Sequence, residues 1–417
     1  MDGRQFVRGS GMGKGRIYYD KQSFVQLASI QSASLGLSVI SIGPQLATLY
    51  GAGTAICSIM LGNLILWLVA MTVLSKFDYE RANAIEYIKG YIGKYGGILA
   101  ALILMVAVLN WYAHQITFSM AALSSLFQDG MCRGMAIRIG AALGLLCALL
   151  AMGGIRLLKQ MTVISLPLLF CYHIYVITAS DRSVPLAGTW GLSFSAVTSS
   201  VLILLPGVIN FPTFFRHSQS QAHSFLALTL LAILITFFEV TTIWMDFSFS
   251  NGIVSSVMMS VFIILSLTYS NLINIYLASA CWETFASRFS GPKGFAIIGL
   301  FGTLTYTFIQ VSTPVQFLQD LTNAYIANLG VVLFLVYLTR IIVKHRPRSL
   351  EKSINLATWL CGCSIATLYE IQHFLKGEEA LFVGATASLL FYMGVIFIEE
   401  TGWAVKNRLG NSRAKKR

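Results

Sequence analysis

Long apolar stretches separated by short polar or basic ones set the pattern of this chain. They fall at about 27–50, 55–75, 98–127, 135–152, 161–180, 195–215, 224–245, 253–283, 294–311, 316–339, 354–374 and 380–400. A bilayer core of about 30 Å is crossed by about 20 mostly apolar residues in a helix. Each stretch therefore predicts a membrane-spanning helix, here called segments 1 to 12. The stretches are too long and too weakly alternating for outer-membrane strands. The fold class expected is an all-α integral membrane protein of about twelve transmembrane helices. One loop differs from the rest. Residues 76–97 place Tyr79, Ile85, Tyr87, Ile88, Tyr91 and Ile92 among charges, which predicts a short amphipathic helix along the membrane surface.

Composition agrees. Of 417 residues, 56% are hydrophobic and 11% charged, against roughly 25% charged in soluble domains. The mean hydropathy is +0.72. This excludes a cytosolic enzyme, a secreted domain and a disordered regulator. The net charge of +12 does not call for a nucleic-acid partner once its distribution is seen. With the N-terminus inside, 25 of the 29 Lys and Arg residues lie in the tails and inner loops, and only Arg133, Arg138, Arg182 and Lys376 lie outside. That split predicts a multi-pass protein of the cell (plasma or inner) membrane with both termini cytoplasmic, its basic loops facing anionic lipid. Residues 1–26 and 401–417 read as basic cytoplasmic tails. The first lacks the apolar core of a cleavable signal peptide. Its run Gly9 to Gly15 has no preceding strand and no Ser or Thr after Lys14, so it is not a phosphate loop. The seven cysteines sit mostly in apolar runs, and Cys361 and Cys363 read as buried thiols, not as a zinc site or a disulfide framework.

Two segments carry breakers at mid-span. Segment 1 has Ser41-Ile42-Gly43-Pro44; segment 6 has Pro206-Gly207, with Pro212 after it. Pro removes a backbone donor and Gly loosens the turn. In hydrocarbon the freed groups need protein, water or ligand partners. Segments 1 and 6 hold the same place in two blocks of five, 27–180 and 195–339, with 354–400 left as a peripheral pair. Five is odd, so the blocks insert with opposite orientation. Paired interruptions in such blocks point to an inverted-repeat transporter; ordinary Pro-kinked helices are the plainer alternative. Unwound carbonyls can hold a cation, and helix starts can hold electron-rich substrate atoms. Gly43, Pro44 and Gly207 are therefore candidate substrate-site positions.

Polar residues inside segments 3 and 8 add to this. Trp111 and Gln115 are four apart and share a helix face, as do Asn271 and Asn274 at three apart. An indole and a side-chain amide suit a planar heterocycle: one stacks, the other hydrogen-bonds. Interhelical hydrogen bonding is the bland alternative. These four are the candidate substrate-binding side chains.

The same residues carry a resemblance. Gly62-Asn63-Leu64-Ile65-Leu66, Asn110-Trp111-Tyr112-Ala113, Thr213-Phe214-Phe215-Arg216 and Ser270-Asn271 with Tyr276 resemble motifs of the nucleobase:cation symporter-1 family, and most of all its bacterial cytosine-permease branch, within the amino acid-polyamine-organocation superfamily. The resemblance spans segments 1–10. It implies a LeuT-type 5+5 inverted repeat with two extra helices, and cation-driven uptake of a nucleobase or similar small heterocycle. It gives Trp111 the stacking role and Gln115 and Asn271 or Asn274 the hydrogen bonds. It also makes Ser270 a candidate sodium ligand, although Tyr269 stands where the family has a first small hydroxyl residue. Asn110 replaces a Gly, and Thr213 an Asp.

Ionisable groups at depth are functional candidates by default. His114 and Glu239 are the proton-coupling candidates. His173, Asp320 and Glu370 have structural readings as hydrogen-bonding, capping or peripheral groups. The expectation is a secondary transporter, not an enzyme, with a small-molecule substrate, Na⁺ or H⁺ as coupling ion and no other cofactor; oligomeric state is left open. An amino-acid:cation symporter of the same fold is the nearest alternative. An intramembrane enzyme and a channel rank lower, since neither a metal-binding acidic or His-rich loop nor a filter motif is visible.

Overall fold

The computed structural model describes residues 21–75, 84–126, 130–179, 190–244, 253–311, 315–342, 351–373 and 377–414, apart from 34, 37, 38, 40, 287 and 289. Among them are fourteen α-helices: α1 (Phe24–Ser32), α2 (Ile42–Tyr50), α3 (Ala52–Ser75), α4 (Ala84–Ser125), α5 (Arg133–Ala151), α6 (Gly154–Ala179), α7 (Phe194–Ile209), α8 (Pro212–Phe215), α9 (Gln221–Thr241), α10 (Ile253–Trp282), α11 (Pro292–Val311), α12 (Val315–Ile342), α13 (Glu351–His373) and α14 (Gly377–Ala414). Nine of the described helices are long and apolar enough to cross a membrane. The pieces of segments 1 and 6 are not among them, because each segment is divided in two: α1 with α2, and α7 with α8.

The divisions do not fall on the predicted residues. Segment 1 stops at Ser32 and restarts at Ile42, so Gly43 and Pro44 lie inside the first turn of α2. The first N–H groups of a helix have no intrahelical partner, so a proline there forfeits nothing. Ser32 ends α1, and the intervening stretch holds Gly36 and Ser41. Serines compete for backbone partners, and Gly36 lets the chain pass where a Cβ would lie 2.5 Å from Ser266 Oγ and 2.6 Å from Ser270 Oγ. In segment 6 the helix continues through Pro206-Gly207 to Ile209. The kink is at Asn210-Phe211, where Asn210 N–H bonds the Gly207 carbonyl (3.1 Å) and Phe211 N–H the Val208 carbonyl (3.2 Å). Pro212, which cannot donate, opens α8 at its first position.

The amphipathic stretch is helical from Ala84, and a left-handed Gly93 (φ 79°) separates it from the long span of α4. Its apolar face does not meet lipid. Ile85, Ile88 and Ile92 are buried in protein, and Asn355 on α13 donates to the Tyr91 carbonyl (3.0 Å). Tyr79 lies outside the described residues. At the other end α14 runs past its apolar stretch to Ala414, with no proline to stop it.

The packing is exchange-symmetric between the two blocks of five. Segment 3 packs on 8 (α4 on α10) and 4 on 9 (α5 on α11). Segment 2 meets 6 (α3, α7) as 7 meets 1 (α9, α1), and 5 meets 1 (α6, α1) as 10 meets 6 (α12, α7). Glycine permits the closest approaches: a Cβ at Gly302 would come within 2.7 Å of the Tyr112 ring, and one at Gly43 would overlap the Glu239 carbonyl oxygen. Helices α13 and α14 pack on α12 outside this core.

The end of the bundle where α1 begins is packed shut. Gln22 N–H donates to the His217 carbonyl (2.7 Å) and Gln219 N–H to the Gln22 carbonyl (3.2 Å). Beneath, Arg216 donates to the Tyr276 hydroxyl (2.9 Å), His217 Nε2 lies 2.7 Å from the same oxygen, and Phe214 and Phe215 are buried. Burial, then the charges of Arg216, Lys21 and Lys159, holds the His217 imidazole down to about 3.

Two outcomes are expected. Gly43→Ala should destabilise the protein by about 1–3 kcal/mol, because the obstructing atom is backbone and cannot turn aside. Gly394→Ala, facing open space, should not; melting midpoints of the two purified variants decide this. The second concerns pH. An unfolded His takes its proton near 6.5, whereas folded His217 stays neutral to about 3. The unfolded state thus binds more protons in that window, so this contribution is full above about pH 6.5 and is lost as pH falls towards the folded value. The wild-type melting midpoint should drop more steeply than that of His217→Gln between about pH 7 and pH 5.

Candidate functional site

A cavity of about 150 Å³ opens beside the break in segment 1. One water needs about 10–15 Å³ on this scale, so it holds several waters or one ring-sized solute. Its walls come from α1 and the break (Gln31, Leu35, Val39), α3 (Asn63, Trp67), α4 (Trp111, Gln115), α7 and the kink (Gly207, Phe211), α9 (Leu231), α10 (Ser270, Asn274) and α12 (Asn323). The wall is apolar with convergent amides, and among the described residues no Lys, Arg, Asp or Glu lines it.

The α-helical period of α4 puts Trp111 and Gln115 one turn apart on the face that meets α10. Gln115 is buried, and its Oε1 has no protein partner among the described residues. Across the cavity Asn274 Nδ2 donates to Asn271 Oδ1 (3.3 Å), which turns the rest of the Asn274 amide over to the cavity wall. Asn271 itself is wholly buried behind it and does not line the space.

Of the residues singled out in the sequence, the structure brings Trp111, Gln115, Gly207, Ser270 and Asn274 together. Gly43 and Pro44 lie off the lining, at the start of α2 against α9. His114 is exposed and off the lining, its ring stacked on Trp111 (5.5 Å between centroids, 18°). His173 is buried, with Nδ1 3.0 Å from the Leu169 carbonyl. Glu370 is buried on α13, at a distance from the cavity wall, and the Asp320 side chain lies outside the described residues. Glu239 stands one side chain behind the cavity: Asn63, which lines it, donates Nδ2–H to Glu239 Oε2 (2.6 Å) and to Thr236 Oγ1 (3.1 Å).

The lining also includes amides that sequence reasoning passed over: Gln31, Asn63 and Asn323. Gln31 sits in the last turn of α1, next to the break. An amide beside an interruption in an apolar span was the signal that could have found it.

No known family's sequence profile matches the chain, and no curated relative does. Solved structures do. Mhp1, a nucleobase-cation-symport-1 family transporter, in a closed conformation with bromovinylhydantoin bound, is 17% identical over 92% of this chain and 94% of its own, with a TM-score of 0.64. The inward-facing conformation of Mhp1 matches at 16% identity over 96% of each chain, with a TM-score of 0.63. The substrate-bound outward-open state of a Na⁺-coupled sialic acid symporter matches at 15% identity over 89% of each, with a TM-score of 0.66. Across almost its whole length the chain has the LeuT-type fold of these multi-pass membrane transporters.

Proposed function

We propose that the protein is a secondary transporter that imports a nucleobase such as cytosine, or a similar small planar heterocycle, by cation symport and alternating access around the central cavity. The observation that carries this reading is the pairing of Trp111 and Gln115, one turn apart, on the wall of a cavity beside a broken helix. Trp111 supplies a stacking face. Gln115 supplies a buried acceptor that a ring N–H would satisfy. Asn274 and Gln31 add amide contacts. The Mhp1 structure of the same fold holds a hydantoin derivative, which is likewise a planar cyclic amide.

A wall without charge among the described residues favours a neutral solute over an amino acid or an acidic sugar, whose carboxylate would want a cationic partner. In this reading 27–180 and 195–339 are the two moving halves, 354–400 is a peripheral pair, and the basic tails 1–26 and 401–417 face the cytoplasm.

Uptake into proteoliposomes of labelled cytosine, uracil, hydantoin and a set of amino acids tests the substrate class. Saturable uptake of a nucleobase or hydantoin, competed by other planar heterocycles, is expected; saturable amino-acid uptake untouched by them would assign the alternative. Trp111→Ala should abolish heterocycle transport with insertion unchanged. Gln115→Ala should raise the half-saturation concentration by about tenfold, the effect of losing one hydrogen bond worth about 1–1.5 kcal/mol. Normal transport by Trp111→Ala would place the site elsewhere.

A further inference from the structure

Resting on that transporter reading, we propose that the coupling ion is a proton, not sodium, and that Glu239 is the group that takes it up and releases it. Two independent features of the chain lead there.

The first is Glu239. It is wholly buried in α9; Oε2 accepts from Asn63, and Oε1 has no partner among the described residues. Among the described residues, the elements packed on this part of α9 offer it no counter-charge. The described helices α1, α2 and α3 contain no Lys, Arg, Asp or Glu. The titratable groups on α2 and α3 are Tyr50, which donates to Ser195 on α7, and Cys57, about 9 Å along α3 from Asn63. Helix α6 brings His173, packed on Phe238 (4.2 Å between rings) beside Tyr172; its Arg156 and Lys159 lie at the far end of the helix. A carboxylate in such surroundings is costly unless water reaches it. In this conformation Asn63 is the side chain that stands between Glu239 and the cavity.

This arrangement links proton to solute. When the cavity is filled with water, the carboxylate charge is solvated through Asn63. A solute that displaces this water strips the charge of its solvent, so the carboxyl must carry a proton for the loaded cavity to close. On the other side the proton passes from the carboxyl oxygen to incoming water, giving hydronium, and the negative charge stays on the carboxylate against the Asn63 N–H. Solute and proton thus bind with positive coupling.

The second feature is the end of α1. The C-terminal carbonyls of a broken membrane helix are where a coupling cation is held. Here the protein fills them. The Ala33 N–H reaches the Ser29 and Gln31 carbonyls, the Leu35 N–H reaches Ser32, and the Tyr269 hydroxyl donates to Ile30 (3.1 Å). The same hydroxyl lies 2.5 Å from Thr162 Oγ1, which ties α1, α6 and α10 together. A metal ion at Ile30 would have to displace the Tyr269 O–H from that carbonyl. Tyr269 thus occupies with a neutral donor the place that a cation would hold.

Three measurements on the full-length protein decide the matter. Purified wild type in nanodiscs should show no saturable ²²Na⁺ binding; saturable binding would overturn the proposal. Infrared difference spectra between acidic and alkaline buffer should show a carboxylic-acid band that vanishes in Glu239→Gln; identical spectra from the two proteins would overturn it as well. In proteoliposomes with 100 mV inside negative and no sodium, one proton per solute drives about 50-fold accumulation. Wild type should concentrate its heterocycle, and Glu239→Gln should only equilibrate it. Accumulation that requires a sodium gradient would contradict the proposal. Failure to transport any heterocycle or amino acid under either gradient would count against the transporter reading, whereas the sodium-binding and infrared results would still decide the role of Glu239.

Discussion

The structure depends on one constraint: backbone groups freed inside hydrocarbon must be satisfied by something other than lipid. Helix α1 of segment 1 ends at Ser32, and α2 begins at Ile42, at the depth of the cavity. Each consequence follows from where those groups go. The α1 carbonyls are closed off by Ala33, Leu35 and Tyr269. Gly36 presses the unwound chain against Ser266 and Ser270 on α10. The restarted helix is held to α9 at Gly43, where there is no room for a side chain beside the Glu239 carbonyl. The break is therefore clamped on both sides, and what remains open between α1, α4 and α10 is the cavity.

That clamp also explains the distribution of polarity. An apolar wall with amides from five elements, uncharged among the described residues, provides orientation without charge. The titratable groups stand back from it: Glu239 behind Asn63, and His217 in the sealed layer with Arg216 and Tyr276. In the proposed reading such a site binds a neutral solute by stacking and hydrogen bonds, and charge moves at Glu239 behind Asn63.

Much of this was legible in the sequence. Twelve apolar runs, the two interrupted segments and the Trp111–Gln115 spacing are properties of composition and period, and lipid enforces them more strictly than water does. The positions of the breaks were not legible, because a proline marks either a break or the harmless first turn of a helix. Pro44 and Pro212 are the second kind, and Pro206 is absorbed within α7. The surface-helix reading of 76–97 had the right period for the described part, 84–92, but the wrong neighbour, since periodicity does not say whether an apolar face meets lipid or protein. Asn63 appeared in the sequence only as part of a motif; that it joins the cavity to Glu239 depends on α3 and α9 meeting across 176 positions of chain.

The most direct test of the central claim is an experimental density map of the protein in a lipid bilayer. The map should show helix α1 interrupted after Ser32, with the Tyr269 side chain reaching the Ile30 carbonyl and a hollow bounded by Trp111, Gln115 and Asn274. A segment 1 that runs as one unbroken helix from Phe24 to Tyr50, with those side chains packed against each other and no space between, would contradict it.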